Sequence, residues 1–287
     1  MRIVVLASGS RGNAVVVEAN GTRVLVDCGL SYRQLRTRMA PHGLGPADIE
    51  AVLLSHEHID HVRGLEAFHK QHRLPVVGSE GTRKALAGRV AVEPLLRSGQ
   101  PLTQHGLEVL PVATSHDAAE PIGFVFPHRG RRLGLVTDTG TMTAPLVECL
   151  AGCTALLLEA NHDLDMLRLG PYPWPLKQRI RSRTGHLSNS QTRDALEQLV
   201  GPELQLVVAM HLSQENNTPD LVRAELGRVL AGSAVRCQVS SQDHSLVVDL
   251  PAPAQAVGRE GALDSRLSTP DRPGGGPHPG PRTPDWG

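Results

Sequence analysis

Aromatic side chains are scarce in this sequence: three Phe, two Tyr and two Trp make up 2% of its 287 residues. A core must therefore be built from Val, Leu and Ala, and the chain is long enough to bury one as one large or two small domains. The sequence also lacks a net charge, because 29 basic residues balance 29 acidic ones. A polyanion would have to meet a local basic patch, since no global field attracts it.

Cysteines and long apolar runs are few as well. The four cysteines contain no C-x-x-C pair, and only Cys149 and Cys153 are close in sequence. These two could form half of a zinc site, although two buried thiols are the favoured interpretation. No segment approaches the ~20 apolar residues that span a bilayer, and the apolar start is too short for a signal peptide and predicts a first strand. We therefore expect a reduced, cytoplasmic protein with no membrane contact.

Histidine, in contrast, is concentrated in one stretch, S-H-E-H-I-D-H at residues 55–61. The stretch lies between an apolar strand-like run and a helical pattern, which predicts a strand–helix junction. In extended chain His56 and His58 point to the same side, while Asp60 and His61 lie across the turn and can serve a second metal. The alternative is that Asp60 caps the helix and the histidines are surface residues, but this density of ligand-type side chains favours metal binding.

Residue types that bind metals also follow other apolar, strand-like runs. These residues are Asp27, His116, Asp138, Glu159 and His211, and His186 opens a helix beside them. Several strands that each deliver such a residue at one sheet edge are typical of an active site. His162 has no matching partner, so a structural role is favoured for it.

The domain organisation follows from the alternation of strand and helix patterns. Residues 1–250 predict one α/β domain with two sheets inside and helices outside. Residues 62–71 predict a single helix, and residues 169–184 an irregular, Pro-rich segment. From residue 251 onward, 15 of 37 residues are Pro or Gly, which predicts a disordered tail.

The order and spacing of these motifs resemble the metallo-β-lactamase fold hydrolases over nearly all of residues 1–250, which implies a four-layer αββα sandwich. Within that superfamily, several strings look like the YycJ/WalJ family of small DNA exonucleases. The strings are S-G-S-R-G-N, T-S-H-D-A, T-D-T-G, L-E-A-N-H-D, G-H-L-S-N and H-L-S-Q-E-N-N. E-A-N and G-H-L-S also resemble the glutamate and histidine loops of tRNA 3′-end endonucleases.

The resemblance implies two divalent metal ions. His56, His58 and His116 would hold one. Asp60, His61 and His211 would hold the other. Asp138 would bridge the two ions, and Asp27 would orient ligands without binding metal itself. A set of nitrogen and oxygen ligands suits zinc, manganese or iron, and the resemblance to the exonucleases favours manganese over zinc.

The same resemblance implies phosphodiester chemistry, in which a hydroxide shared by the two metals attacks phosphorus in line. The catalytic residues would be Asp60, Glu159 and His186, with Glu159 orienting His186 as proton donor to the leaving oxygen. The alternative for His186 is a solvent-facing ring at the start of a helix.

Residues 170–184 contain one Tyr, one Trp and four basic residues in an otherwise neutral, aromatic-poor chain. Such a segment is typical of phosphate and base binding, and the alternative is a solvated helix. Small polar residues near the N-terminus and after His186 offer further anion sites, although such loops are often ordinary turns. The substrate-binding candidates are Ser8, Ser10, Asn13, Tyr172, Trp174, Lys177, Arg179, Arg181, Arg183, Ser188 and Asn189.

Together these features predict a dinuclear-metal DNA exonuclease, acting 5′→3′ in repair or replication upkeep, with DNA favoured over RNA as the partner. One alternative is an RNA- or tRNA-processing nuclease. Another is a hydrolase of a small ester, thioester or lactam. The least favoured is a non-catalytic, nucleic-acid-binding regulator. The oligomeric state does not follow from the sequence.

Overall fold

The pair Asn20-Gly21 forms a tight hairpin turn between two Val-rich strands. Its φ angles of 53° and 83° are left-handed, as a two-residue type I′ turn requires, and the flanking residues Ala19 and Thr22 pair directly. The hairpin opens a computed structural model that describes residues 1–250. The segment 251–287, predicted to be a disordered tail, lies outside the described residues.

Two sheets of seven strands each make up the centre of the described domain. In chain order the strands are β1 (Arg2–Ala7), β2 (Ala14–Ala19), β3 (Thr22–Val26), β4 (Ala51–Leu53), β5 (Val76–Ser79), β6 (Leu95–Leu96), β7 (Leu102–Gln104), β8 (Leu107–Ala113), β9 (Ile122–His128), β10 (Arg131–Val136), β11 (Ala155–Glu159), β12 (Leu206–Met210), β13 (Arg236–Val239) and β14 (Leu246–Asp249). The first sheet has the order β14-β1-β2-β3-β4-β5-β6, and the second has the order β13-β12-β11-β10-β9-β8-β7.

Helices follow many of the strands. In chain order they are α1 (Tyr32–Met39), α2 (Ile59–Val62), α3 (Leu65–His72), α4 (Glu80–Ala85), α5 (Ala144–Leu150), α6 (Leu164–Leu169), α7 (Trp174–Ile180), α8 (Asn189–Leu199) and α9 (Pro219–Leu230). Within residues 1–250, none of them has both the length and the apolar character needed to cross a membrane.

The side-chain alternation of each inner strand builds three apolar layers. On β11, Ala155 and Leu157 pack between the two sheets, whereas Leu156 and Leu158 pack against the helices of the second sheet. Both faces of β11 are therefore buried, which explains why its sequence is apolar without alternation. A matching cluster packs α1 and α3 against the first sheet. This arrangement confirms the predicted four-layer αββα sandwich.

Parallel pairing brings the ends of several strands to one edge of the sandwich. β3 is parallel to β4 in the first sheet, and β10, β11 and β12 are mutually parallel neighbours in the second. Their registers align, since Glu159 pairs with Met210 at the ends of β11 and β12. The residues that follow these strands therefore emerge side by side.

Two predictions about helices are wrong in detail. The helix predicted for residues 62–71 is split into α2 and α3 around Gly64, where a Cβ would stand 1.9 Å from the carbonyl oxygen of Leu30. The segment predicted to be irregular, residues 169–184, contains α7. Its prolines do not prevent the helix, because Pro173 precedes it and Pro175 lies in its first turn, where no intrahelical N–H is needed.

Candidate metal centre

Three residues at the shared strand edge adopt an uncommon backbone conformation. Asp27, Asp138 and His211 follow β3, β10 and β12, and their φ angles are 60°, 57° and 55°. Left-handed φ is rare for residues other than glycine, and such residues cluster at functional sites, where the surrounding structure holds them in place. Here the turns direct two carboxylates and an imidazole inward.

Five histidines meet at this edge, and each uses one ring nitrogen to bind a group outside the cluster. The pairs are His56 Nδ1 with Ser55 Oγ at 3.0 Å, His58 Nε2 with Asp117 O at 3.2 Å, His61 Nδ1 with Asp27 Oδ2 at 2.8 Å, His116 Nδ1 with Gly185 O at 3.0 Å, and His211 Nδ1 with Glu159 Oε1 at 3.3 Å. Metal-bound histidines almost always donate their other N–H in this way, which fixes the tautomer and the ring orientation. The opposite nitrogens point into the cluster, toward one another and toward the carboxylates of Asp60 and Asp138.

Residues 1–250 contain four groups of neighbouring ligand atoms, and two of them match the expected ligand sets. The other two both include Asp138, one with His56 and His61, the other with Glu159, His186 and His211. Ligand atoms of His56, His58 and His116 all lie within 4.8 Å of one another. Those of Asp60, His61 and His211 do so as well. These are the two ligand sets that the sequence resemblance implies.

Asp138 lies between the two groups. Its Oδ2 is 3.2 Å from His61 Nε2, and its Oδ1 is 3.8 Å from His116 Nε2. One carboxylate thus reaches a histidine of each group, as a bridging ligand must.

The donor set fits a divalent cation. His56 Nε2 is buried and has no hydrogen-bond partner within the described residues, and buried polar atoms without a partner call for a further group such as an ion. No group of potential metal ligands in residues 1–250 includes a cysteine. A buried set of imidazoles and carboxylates suits zinc, manganese or iron.

The electrostatics of the cluster point the same way. Burial alone would lower the pKa of His211, but Asp138, Asp60 and Glu159 raise it to about 10. Burial would raise the pKa of Asp138, but His211 and His61 hold it well below its usual value. The carboxylates are therefore ionised, and a cation at their centre would replace the protons on the histidines.

The loop after β1 forms hydrogen bonds to residues of the cluster. Asn13 donates its backbone N–H to Asp60 O at 2.8 Å, and its side-chain Nδ2 lies 3.1 Å from His61 Nε2. Ser8 Oγ accepts the backbone N–H of His211 at 2.8 Å. The sequence predicts that Ser8 and Asn13 bind substrate, but both are buried and hold residues of the candidate metal centre in place.

A cavity of about 250 Å³ opens over the cluster. Of the predicted substrate-binding residues, Ser10, Tyr172 and Arg179 line it, and His186 lines it as well. Arg179 Nε donates to Asp117 Oδ2 at 2.6 Å. The cavity therefore offers a guanidinium and a phenol close to the candidate metal ligands.

The other predicted substrate-binding residues lie elsewhere. Trp174, Lys177 and Arg181 line a separate groove. Arg183 is exposed, and its carbonyl oxygen accepts from Ser115 Oγ.

Ser188 and Asn189 are buried away from the cavity opening. Ser188 caps α8 by accepting the N–H of Gln191, and the Asn189 amide bonds to Asn217. Their hydrogen-bonding groups are thus already used within the fold.

Comparison with known proteins is consistent with this geometry. A family profile described as "Beta-lactamase superfamily domain" matches residues 22–212. The chain is 34% identical to exodeoxyribonuclease YycJ of Bacillus anthracis, over 88% of this chain and 98% of that protein. It is 31% identical to exodeoxyribonuclease WalJ of Streptococcus pneumoniae, over 88% of this chain and 97% of that protein. The chain belongs to the YycJ/WalJ family of the metallo-β-lactamase superfamily.

As a YycJ/WalJ-family protein, the chain is a metal-dependent hydrolase. The metallo-β-lactamase fold protein YhfI from Bacillus subtilis shares its fold, with a TM-score of 0.68 at 15% identity, over 86% of this chain and 98% of that one. Ribonuclease Z of a Mycobacterium species is 27% identical over 59% of this chain and 67% of that protein.

The pair predicted from the glutamate and histidine loops is formed in this YycJ/WalJ-family site. His186 Nδ1 donates to Glu159 Oε1 at 2.7 Å, and Glu159 Oε2 accepts the N–H of Thr139 at 2.9 Å. Burial would lower the pKa of His186, but Glu159 raises it above its ordinary value. Because Nδ1 is hydrogen-bonded to Glu159, Nε2 is the ring nitrogen that can contact a ligand in the cavity.

Asp117 and Asn161 are the polar residues that contribute most to the site among those that the sequence does not predict. Asp117 links Arg179 to the cluster, because its carboxylate pairs with Arg179 and its carbonyl oxygen accepts from His58. Asn161 lines the cavity and donates Nδ2 to His211 O at 2.9 Å. Asp117 directly follows His116 in the string T-S-H-D-A, and Asn161 lies two residues after Glu159 in L-E-A-N-H-D. These positions beside predicted site residues could have indicated both of them.

Proposed function

We propose that this YycJ/WalJ-family protein is a dinuclear-metal nuclease that hydrolyses DNA phosphodiester bonds as a 5′→3′ exonuclease. The observation that carries the proposal is the Glu159–His186 pair, which faces the same cavity as the metal-binding residues. Hydrolysis of a phosphodiester expels an alkoxide-like oxygen, which needs a proton donor. An activated ester, whose leaving group is a stable anion, needs one less.

When bound, divalent ions at this centre would supply an activated water and neutralise charge on the phosphoryl oxygens. His56, His58 and His116 would hold one ion. Asp60, His61, His211 and the shared Asp138 would hold the other. Asp27 would keep His61 in the tautomer that presents Nε2, because it accepts from Nδ1.

The remaining steps belong to protein side chains. Arg179 binds a non-bridging phosphate oxygen at the cavity wall. Glu159 fixes the His186 ring through Nδ1, and His186 donates the proton on Nε2 to the leaving oxygen. A positioned acid of this kind typically contributes about 10²–10⁴ in rate.

The similarity of this chain to the exodeoxyribonucleases YycJ and WalJ favours DNA as its substrate. The ribonuclease Z relatives favour a second candidate function, RNA processing by the same site. Hydrolysis of a small ester is the third, and the phosphate-binding position of Arg179 argues against it.

The test is a comparison of substrates with metal-reconstituted protein. We expect 5′-labelled duplex DNA to release labelled mononucleotide early, and 3′-labelled DNA to give a ladder of shortening products. Precursor tRNA, single strands and a chromogenic ester are assayed in parallel. Asp138→Ala, with its fold checked by circular dichroism, should abolish cleavage. Turnover of the ester without cleavage of DNA or RNA would contradict the proposal.

A further inference from the structure

Helix α7 separates two concave surfaces. Tyr172, Leu176 and Arg179 lie on the side of the catalytic cavity. Trp174, Lys177 and Arg181 line a groove of about 340 Å³ on the other side. The two sets alternate at the spacing of three to four residues that places side chains on one helical face. The basic, aromatic segment is thus divided between an inner and an outer face.

The outer face presents a tryptophan that packing does not explain. Trp174 is 62% exposed in a chain that has only two Trp. Tryptophan is usually mostly buried, and one exposed beside cationic side chains is typical of a surface that binds a partner.

The charges of the outer face favour an anionic partner. Arg181 is exposed and forms no ion pair within residues 1–250, whereas Arg179 on the inner face pairs with Asp117. Lys177 is anchored beside Trp174, because its Nζ donates to Arg168 O at 2.8 Å and Gly170 O at 2.7 Å. The groove therefore combines a π surface with one anchored cation, Lys177, and one cation that forms no ion pair within the described residues, Arg181.

The size of the catalytic cavity requires a polymer to continue outside it. At about 250 Å³, the cavity lies below the roughly 300–1,000 Å³ of pockets that enclose a drug-sized ligand. A strand whose reacting end occupies this cavity must cross its rim, and α7 forms part of that rim.

We propose that the outer face of α7 binds a single-stranded part of the nucleic-acid substrate, with a base stacked on Trp174 and the adjacent phosphate bound by Arg181. The proposal rests on the nuclease function proposed above. Stacking on an aromatic side chain tolerates any base, since every base has a π face. The subsite therefore adds affinity with strand length and does not add sequence specificity.

Fluorescence tests the contact directly. Trp286 is the only other tryptophan, so full-length, metal-loaded Trp286→Phe protein reports on Trp174 alone. We expect quenching by phosphorothioate oligothymidylate and oligouridylate 12-mers, and none at the same concentration by a mononucleotide, which is too short to reach from the cavity to the outer groove. Arg181→Ala should weaken binding of the 12-mer. Arg129→Ala, on the turn at the opposite end of β10, should leave that binding unchanged.

Kinetics test the contribution to substrate binding. In Trp174→Ala we expect KM to rise by about tenfold for a 20-mer, since a stacked base contributes at that level, and by much less for a trinucleotide. Trp174→Phe should recover most of the loss, and Leu221→Ala, an exposed apolar residue on α9, should show no length-dependent effect.

The outcomes separate the two proposals. Cleavage of the 20-mer with no quenching and with an unchanged KM in Trp174→Ala overturns the outer subsite and leaves the nuclease function standing. Quenching by the 12-mer without cleavage of any oligonucleotide supports the subsite and overturns the nuclease function. The absence of both binding and cleavage overturns both.

Discussion

Gly29 lies directly beneath the backbone carbonyl of Asp60, so close that a Cβ on Gly29 would stand 1.7 Å from that oxygen. The neighbouring Cys28 donates its N–H to His61 O at 2.7 Å. The loop after β3 therefore sets the position of the α2 backbone, and with it the two adjacent candidate metal ligands.

Gly29→Ala is the first prediction. The new methyl group must displace the backbone of Asp60, because backbone cannot yield as a flexible side chain does. We expect the ligand set of Asp60, His61 and His211 to lose metal affinity by at least tenfold, measured as metal per chain after dialysis against a graded chelator. The control is Gly227→Ala on α9, which has open space and should gain about 0.5–1 kcal/mol in unfolding free energy. Full metal retention in Gly29→Ala would show that α2 can shift without cost.

The sequence could predict which side chains meet at the strand edge because each occupies a fixed place at the end of an apolar run. The strand pattern alone brings Asp138 and His211 to one edge. The contacts that orient them could not be read in the same way. Ser8 and Asn13 belong to a small-residue loop that is compatible with anion binding, and only the folded chain shows that their polar atoms are used on His211 and Asp60.

His186→Ala is the second prediction, and it separates proton donation from metal binding. We expect metal content to stay at the native level and kcat for DNA to fall by about 10²–10⁴. The loss should be much smaller for bis(p-nitrophenyl) phosphate, because p-nitrophenolate leaves without needing a proton.

Glu159→Gln is the companion variant, since it preserves shape but removes the charge that favours protonated His186. Its kcat should show the same dependence on the leaving group. The fall in kcat for DNA should be smaller in Glu159→Gln than in His186→Ala. Equal losses for both substrates, or loss of metal in His186→Ala, would make His186 a ligand and not an acid.

The third prediction concerns the cysteines. Burial raises the pKa of Cys28 far above that of a free thiol, and raises the pKa of Cys153 to about 11. Because the thiolate is the reactive form, both should resist iodoacetamide at pH 8 in the folded protein. Cys149, which is half-exposed, should react first, as measured by mass spectrometry over time. Rapid labelling of Cys28 at the rate of the urea-unfolded chain would contradict its burial.

The fourth prediction tests the apolar layer between the sheets. Phe124 is fully buried there, whereas Leu169 on α6 is 72% exposed. Phe124→Ala should lower the free energy of unfolding by about 3–5 kcal/mol through lost burial and the cavity left behind. Leu169→Ala should change it by less than about 0.5 kcal/mol. Urea titration of both variants measures the difference, and similar midpoints would mean that the inter-sheet layer can collapse around the missing ring.

The two faces of α7 could be predicted only in part from the sequence. Its prolines predict an irregular segment, and the alternative of a solvated helix separates Arg181 from Arg179 and Arg183 without showing which face reaches the cavity. That choice depends on how α7 packs over the loop before His186. Gly185 permits this packing, since a Cβ there would stand 2.2 Å from Ile180 O.

Arg179→Ala is the last prediction. Burial would raise the pKa of Asp117, but Arg179 holds it below its usual value, so the pair is ionised and Arg179 is positioned at the cavity wall. The Arg179 side chain is 60% exposed, and removing an exposed pair costs about 0–1 kcal/mol of stability, so the variant should fold. Because one phosphate contact contributes about one unit to the slope of log affinity against log salt, we expect KM for DNA to rise and that slope to fall by about one. Arg129→Ala, on the far turn before β10, should keep the native slope. If both variants retain it, the substrate phosphate is bound by a group other than Arg179.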